Sequence, residues 1–133
     1  MTYEEWERQV AGEIKADALW QMDVYRLALY LYDLAWDDCE TLMRDARGRA
    51  IVEQLIRSAG SVAANIEEGF GRGFGKGYAY FLRISLGSAR ETRGWYYRSR
   101  RLLPPAVIKH RLDLLSQIVA ILVTAAHQQR QRK

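Results

Sequence analysis

The chain has 133 residues with a formal net charge of +4, which is enough chain for one domain with its own core. Its single cysteine, Cys39, excludes an intramolecular disulfide and a cysteine-cluster metal site. The acidic N-terminal stretch has no apolar core segment, and the longest near-apolar run, Ile118–Ala126, is far short of the roughly 20 residues of a membrane helix. We therefore expect a soluble, cytoplasmic protein without a signal peptide.

Charge is segregated along the chain. Residues 1–43 carry three Lys/Arg and ten Asp/Glu (−7), residues 44–101 carry twelve and five (+7), and residues 102–133 carry five and one (+4). Such asymmetry suggests a nucleic acid or an acidic protein as partner of the basic part. The alternative is that acidic and basic segments neutralise one another, within the fold or between subunits.

The N-terminal part predicts a short amphipathic helix followed by a long one. Tyr3, Trp6, Val10 and Ile14 share one face of a helix within an acidic extension, residues 1–18. The first long helix is predicted over 19–43 and has two apolar stripes. The second stripe comprises Tyr25, Leu29, Tyr32, Trp36, Cys39 and Met43. Two stripes favour packing within a bundle and also against another subunit; a deeply buried helix in a monomer is the alternative.

Three further long helices follow. A connection at 44–49 leads to a helix over 50–69, and a glycine-rich turn leads to a helix over 77–102. Pro104–Pro105 ends that helix and begins the fourth, over 105–127, before a basic tail at 128–133. The fourth helix also has two stripes, the second formed by Leu114, Ile118, Ile121 and Ala125. Few β-branched residues and short connections predict an all-α, up-down-up-down antiparallel four-helix bundle over 19–127.

Small and polar residues mark the contact between the second and third long helices. Ser58, Ser61, Asn65 and Glu68 recur on one face of the second helix, and Ser85, Ser88 and Thr92 replace large apolar residues on the third. Because a buried polar group without a partner costs roughly 1–3 kcal/mol, this pattern predicts a close, hydrogen-bonded helix pair. The predicted structural polar network comprises Ser61, Asn65, Glu68, Ser88 and Glu91; a ligand site is the alternative.

The residues that suggest catalysis do not form a recognisable motif. The segment GFGRGFGKG lacks the spacing of a phosphate-binding loop and of a dinucleotide fingerprint, so it is predicted to be an interhelical turn. Glu67 and Glu68 have no histidine, cysteine or second acid at a metal-binding helical spacing, and His110 and His127 supply none. We predict no catalytic residues, no metal and no cofactor.

Arginines on the outer side of the third long helix form the best candidate functional surface. A cationic surface with an interleaved aromatic ring is suited to phosphate contacts and base stacking, which predicts binding of RNA or DNA. The alternative is a solvated face that pairs with acidic residues of the same or a neighbouring chain. The predicted nucleic-acid-binding residues are Arg72, Lys76, Arg83, Arg90, Arg93, Tyr97, Arg98, Arg100 and Arg101.

Two stretches of the second and third helices resemble a known family. Residues 54–72, QLIRSAGSVAANIEEGFGR, and 80–91, YFLRISLGSARE, resemble the signature of a bacterial four-helix bundle family. That family was first recognised in proteins encoded by intervening sequences of the 23S ribosomal RNA gene. The resemblance extends over about residues 20–126. It departs from the family pattern at Glu67, where a small residue is usual, and at the first connection, which lacks a proline.

The resemblance implies both an assembly and a function. The family forms ring-like homopentamers, and a related branch comprises accessory proteins of diversity-generating retroelements, which bind RNA or DNA and a reverse transcriptase. We therefore expect a non-enzymatic, homopentameric nucleic-acid-binding protein that prefers RNA, with a reverse transcriptase as a candidate partner. A scaffold whose basic face docks an acidic protein is the alternative.

Overall fold

The computed structural model describes residues 1–132, which form helices and connecting turns without a strand. Two short helices, α1 (Tyr3–Gln9) and α2 (Gly12–Lys15), precede a 3₁₀ turn at Ala18–Gln21. Four long helices follow: α3 (Asp23–Leu42), α4 (Ala46–Phe70), α5 (Lys76–Arg98) and α6 (Pro105–Gln131). The all-helical class predicted from the sequence is confirmed.

The long helices pack side by side as an antiparallel bundle. Along the chain each packs against the next, and α6 returns to pack against α3. Connections of three to six residues leave no room for a crossover, so neighbouring helices run in opposite directions. Fully buried leucines from all four helices fill the centre: Leu31, Leu55, Leu82, Leu115 and Leu122. Among the described residues, no helix is long and apolar enough to cross a membrane.

Several helix ends differ from the predicted ones. α4 begins at Ala46, inside the predicted connection, because the Asp45 carboxylate caps it by accepting from the Arg47 amide. α5 ends at Arg98, four residues early, and the Ser99 hydroxyl donates to the Trp95 carbonyl at 2.8 Å. Pro105 begins α6 as predicted, but the helix continues to Gln131 through most of the predicted tail.

The N-terminal segment is two short helices where the sequence predicted one. It lies against α3, where Trp6 is buried and its indole N–H donates to the Asp33 carboxylate at 2.7 Å. The Tyr30 hydroxyl donates to the Met1 carbonyl, and the Trp6 ring lies beside Tyr30 and Trp20. Aromatic packing therefore fixes the acidic segment to one flank of the bundle.

The second apolar stripes are only partly accessible. On α3, Tyr25 and Cys39 are buried inside the bundle, whereas Trp36 and Met43 are exposed. Burial, with a smaller contribution from Asp38, raises the pKa of the Cys39 thiol to about 11. On α6, Leu114 and Ile118 are buried in the chain's own core. The surface left for another subunit is therefore smaller than the sequence pattern suggests.

A buried carboxylate joins three of the four long helices. Asp38 of α3 accepts from the Tyr96 hydroxyl of α5 at 2.6 Å and from Nε and Nη2 of Arg111 of α6 at 2.8 and 3.1 Å. The Asp38 and Arg111 side chains are only 9% and 12% exposed. Burial opposes the charge of Arg111, but its bonds to Asp38 outweigh that cost, and its pKa is raised. Burial, followed by the Asp38 charge, also raises the pKa of Tyr96.

Removing one member of this ion pair is expected to destabilise the bundle strongly. Asp38→Ala leaves the Arg111 guanidinium buried without its counter-charge, which costs about 3–5 kcal/mol of the free energy of unfolding. The double variant Asp38→Leu/Arg111→Met removes both charges and should recover much of that loss. Urea denaturation of the two variants and the parent checks this. Equal stability of the single and double variants would contradict the assigned pairing.

Candidate nucleic-acid interface

Hydroxyl groups bridge α4 and α5 along their contact. The Ser85 hydroxyl donates to the Val62 carbonyl at 2.7 Å. Two hydroxyl–hydroxyl bonds follow, from Ser88 to Ser61 at 2.8 Å and from Thr92 to Ser58 at 2.9 Å. The predicted close, hydrogen-bonded helix pair is therefore present. These bonds fix how α5 lies on α4.

A glycine allows the two helices to meet at the turn end. A β-carbon added to Gly69 would lie 2.9 Å from both Phe81 Cβ and Tyr78 Cδ1, closer than real side chains approach. Any larger residue there would require Phe81 or Tyr78 to shift. The close approach of these two α5 side chains to α4 thus depends on this position being glycine.

The structure brings the central residues of the predicted polar network together and gives its end residues other partners. Asn65 donates from Nδ2 to the carbonyl and hydroxyl of Ser61, both at 2.8 Å, and Ser61 is bonded to Ser88. Glu68 instead pairs with Arg72, and Glu91 accepts from the Trp95 indole at 3.0 Å. Both carboxylates are exposed in the folded chain.

The same seam determines which side of α5 faces solvent. Leu82, Ala89 and Tyr96 are fully buried, whereas Arg83, Arg90 and Tyr97, one position further along, are exposed. Residues seven apart lie almost in line, so these three side chains follow one line with a spacing of about 10 Å. The Tyr97 side chain is 54% exposed.

The remaining arginines surround this line. Arg93 reaches across to the Ser116 hydroxyl of α6 at 3.3 Å. The Arg98 guanidinium lies over the Trp95 ring at 4.8 Å, and that of Arg100 lies over the Tyr97 ring at 4.2 Å. We call these residues together the arginine surface: Arg83, Arg90, Arg93, Tyr97, Arg98, Arg100 and Arg101. Arg100 and Arg101 belong to the turn after α5, not to the helix as predicted.

No carboxylate forms an ion pair with the arginine surface within residues 1–132. The ion pairs found there join Asp45 to Arg47, Glu68 to Arg72, Asp113 to Lys109 and Asp38 to Arg111. All six arginines of the surface are therefore left without an acidic partner in the described part of the chain. The surface keeps its positive charge in the folded protein.

Several acidic residues of the N-terminal third are bonded elsewhere. Asp33 accepts from Trp6, Asp38 holds Arg111, and Asp17 caps the 3₁₀ turn. Glu7 accepts from the Tyr3 hydroxyl at 2.9 Å. Within the described residues, these groups do not pair with the arginine surface of the same chain.

Arg72 and Lys76 lie at the other end of α5, around the glycine turn, residues 71–75. Arg72 is bonded to Glu68 at 2.8 Å and its guanidinium lies over the Phe81 ring at 5.2 Å. Lys76 is the first residue of α5 and is exposed. The sequence prediction grouped both with the arginine surface, but the length of α5 separates them from Arg98, by about 33 Å between its ends.

The acidic pair that suggested acid–base chemistry is engaged in structure. Glu67 accepts from the Tyr25 hydroxyl at 2.7 Å, which ties α4 to α3, and Glu68 pairs with Arg72. Burial, with Glu67 adding to it, raises the pKa of Tyr25. Nowhere in residues 1–132 do three His, Cys, Asp or Glu side chains gather as metal ligands would.

A helical bundle closed by a hydrogen-bonded seam defines the class of protein, and comparison with known proteins gives the family. The family model described as 23S rRNA-intervening sequence protein matches residues 21–124. The chain therefore belongs to the family of 23S rRNA-intervening sequence proteins, as the resemblance indicated. The match begins where the N-terminal segment ends.

A solved structure shares the fold. It is the crystal structure of a protein with unknown function from the S23 ribosomal protein family of Bacteroides thetaiotaomicron. The two chains are 20% identical with a TM-score of 0.70, and the alignment covers 76% of this chain and 95% of that one. No curated protein matches this chain.

Truncating Asn65 is expected to lower stability and leave nucleic-acid binding unchanged. Asn65→Ala removes two hydrogen bonds to Ser61, which together are worth about 1–2 kcal/mol of the free energy of unfolding. Thermal or urea denaturation measures the loss, and Glu68→Ala, at an exposed position outside the seam, is the matched control. Unchanged stability combined with lost ligand binding would favour the ligand-site alternative.

Proposed function

We propose that this chain is a non-enzymatic nucleic-acid-binding protein whose binding face is the arginine surface, with RNA preferred over DNA. The observation that carries the proposal is the set of six arginines without an acidic partner on one side of the bundle. Cations that are not neutralised internally attract a polyanion and release its counterions on binding. The resemblance also makes a reverse transcriptase a candidate partner, but nucleic-acid binding at this surface does not depend on one.

The spacing of the surface also supports phosphate contacts. Arg83 and Arg90 are about 10 Å apart along the helix, so a strand that lies along α5 would meet the two arginines with different phosphates. Tyr97 continues the line and offers an exposed ring for stacking with an unpaired base. Phosphate contacts give affinity with little sequence dependence, whereas stacking favours single strands.

Charge reversal on the arginine surface is expected to abolish most of the affinity. Arg83→Glu/Arg90→Glu should weaken binding of RNA and DNA and reduce the slope of log affinity against log salt by about 0.7–0.9 for each phosphate that the variant no longer neutralises. Fluorescence anisotropy over a salt series measures both quantities. Arg44→Glu/Arg57→Glu makes the same charge change at exposed positions outside α5 and should retain far more affinity.

Two outcomes would count against the proposal. Absence of binding at low salt is one, and an affinity that the Arg83/Arg90 variant leaves unchanged is the other. Co-purification of one acidic protein, with no nucleic acid enriched after nuclease treatment, would favour the scaffold alternative.

We further propose that the chain works as a homo-oligomer, with the five-fold ring implied by the resemblance. An accessible apolar groove between α3 and α4 supports self-association. Its cavity of about 290 Å³ is lined by Trp36, Cys39, Glu40, Met43, Val52 and Ile56, and the Trp36 side chain is 57% exposed. Repeating the arginine surface around a ring would add many weak phosphate contacts through avidity.

A charge placed in this groove is expected to dissociate the oligomer. Trp36→Glu puts a carboxylate where the apolar contact would be buried, so the mass measured by light scattering should fall to that of the monomer. Ile14→Glu changes an exposed apolar residue outside the family-matched region and should leave the mass unchanged. A parent protein that is monomeric at all concentrations would overturn the assembly proposal.

A further inference from the structure

A cavity of about 500 Å³ lies at the glycine-turn end of the bundle, away from the arginine surface. The glycine turn, the start of α5 and the last turns of α6 enclose it. We propose that this cavity binds one unstacked nucleobase of a single-stranded nucleic acid. The inference rests on the proposed function and specifies the ligand as a single strand with at least one unpaired base.

Aromatic rings form the walls of the cavity. Phe70, Phe74 and Tyr78 line it, with Phe70 and Tyr78 packed edge to face at 6.3 Å. The Phe74 side chain is 61% exposed although it is large and apolar. Exposed aromatic rings beside cations are the usual platform for bases in single-stranded nucleic acids, because every base has a π-face.

The backbone of the glycine turn and its contacts with α6 restrict the position of the Phe74 ring. Gly73 and Gly75, on either side of it, have φ angles of 85° and 93°, which favour glycine. The Gly75 amide donates to the Gln129 side-chain oxygen of α6 at 3.0 Å, and the Arg132 guanidinium lies over the Phe74 ring at 4.3 Å. The ring is thus positioned before any ligand arrives, which lowers the entropic cost of binding.

The polar groups of the cavity match a base with its phosphate. Gln128 lines it and is exposed, and its amide offers both donors and an acceptor, as a base edge does. Arg132 adds a positive charge, with Lys76 and Arg72 on the adjoining turn. Among the described residues, no carboxylate lines the cavity, which disfavours a cationic ligand and favours an anionic one.

The position of the cavity makes it an end point for a bound strand. Lys76, the first residue of α5, is two residues from Phe74, and Arg83 and Arg90 follow along the same helix. A strand anchored by one base at the turn would therefore continue over the arginine surface. Phosphate contacts would supply general affinity, and the cavity would supply the preference for single strands.

The test compares AMP with ribose 5-phosphate, which lacks the base, and a short single-stranded RNA with its duplex. Saturation-transfer NMR should show AMP, but not ribose 5-phosphate, bound to the full chain. Phe74→Ala should abolish the AMP signal and weaken single-strand binding about 5- to 150-fold, the range for loss of one stacked base. Duplex binding and its salt dependence should stay unchanged.

A matched control separates stacking from loss of any exposed ring. Tyr80→Ala removes a ring of similar exposure on α5 that does not line the cavity, and it should leave AMP binding intact. Gln128→Ala, at an exposed position, tests the base-edge contact without a change in the turn. Both variants are expected to fold, because neither side chain is buried.

The outcomes distinguish this inference from the arginine proposal. Equal binding of AMP and ribose 5-phosphate, or single-strand affinity unchanged by Phe74→Ala, would overturn the base site while leaving salt-dependent binding at the arginine surface untouched. AMP binding lost in Phe74→Ala but kept in Arg83→Glu/Arg90→Glu would support the base site even if the arginine surface binds nothing. A change of oligomeric mass in Phe74→Ala, with AMP binding absent from the parent, would assign the cavity to a second copy of the chain.

Discussion

The buried Asp38 carboxylate is the constraint on which the arrangement of the bundle depends. It is the common acceptor for Tyr96 of α5 and Arg111 of α6, so it fixes the rotation of both helices relative to α3. A carboxylate in an apolar interior is tolerated only when such partners compensate for lost hydration. With Tyr96 held inward, Tyr97 and the arginines seven and fourteen residues before it must face outward. The outward direction of the arginine surface therefore follows from the contact of Tyr96 with Asp38 together with the hydroxyl bonds between α4 and α5.

The sequence predicted those features of the fold that depend on residues recurring at helical spacing. The serine and threonine positions of α4 and α5 were recoverable because they interrupt an apolar stripe at regular spacing. The Asp38–Arg111 pair was not, since its partners are 73 residues apart and Asp38 stands in an acidic stretch that is typical of a surface. Glu68 and Glu91 were assigned to the polar network because helical spacing shows which face of a helix a residue occupies. Spacing does not show how much of that face the neighbouring helix covers.

The candidate site could also be predicted only in part from the sequence. The outward direction of Arg83, Arg90 and Tyr97 follows from the period of α5, and the lack of acidic partners required the tertiary structure. The cavity at the glycine turn could not be predicted, because Phe74 and Arg132 meet only through the packing of α6 against the turn. The glycine run that failed as a nucleotide motif by spacing still positions an aromatic ring by its backbone conformation.

Charge segregation acquires a structural explanation from the N-terminal segment. Asp17 of this segment caps a turn, and in α3 Asp33 bonds to Trp6 and Asp38 compensates a buried arginine, so these three carboxylates are unavailable to the basic half of the chain. Because the family match begins at residue 21, this arrangement combines a family bundle with an added acidic segment on one flank. The positive charge then remains concentrated along α5 and the turns at its two ends. A polyanion approaching the bundle would meet a one-sided field, which orients the encounter before any specific contact forms.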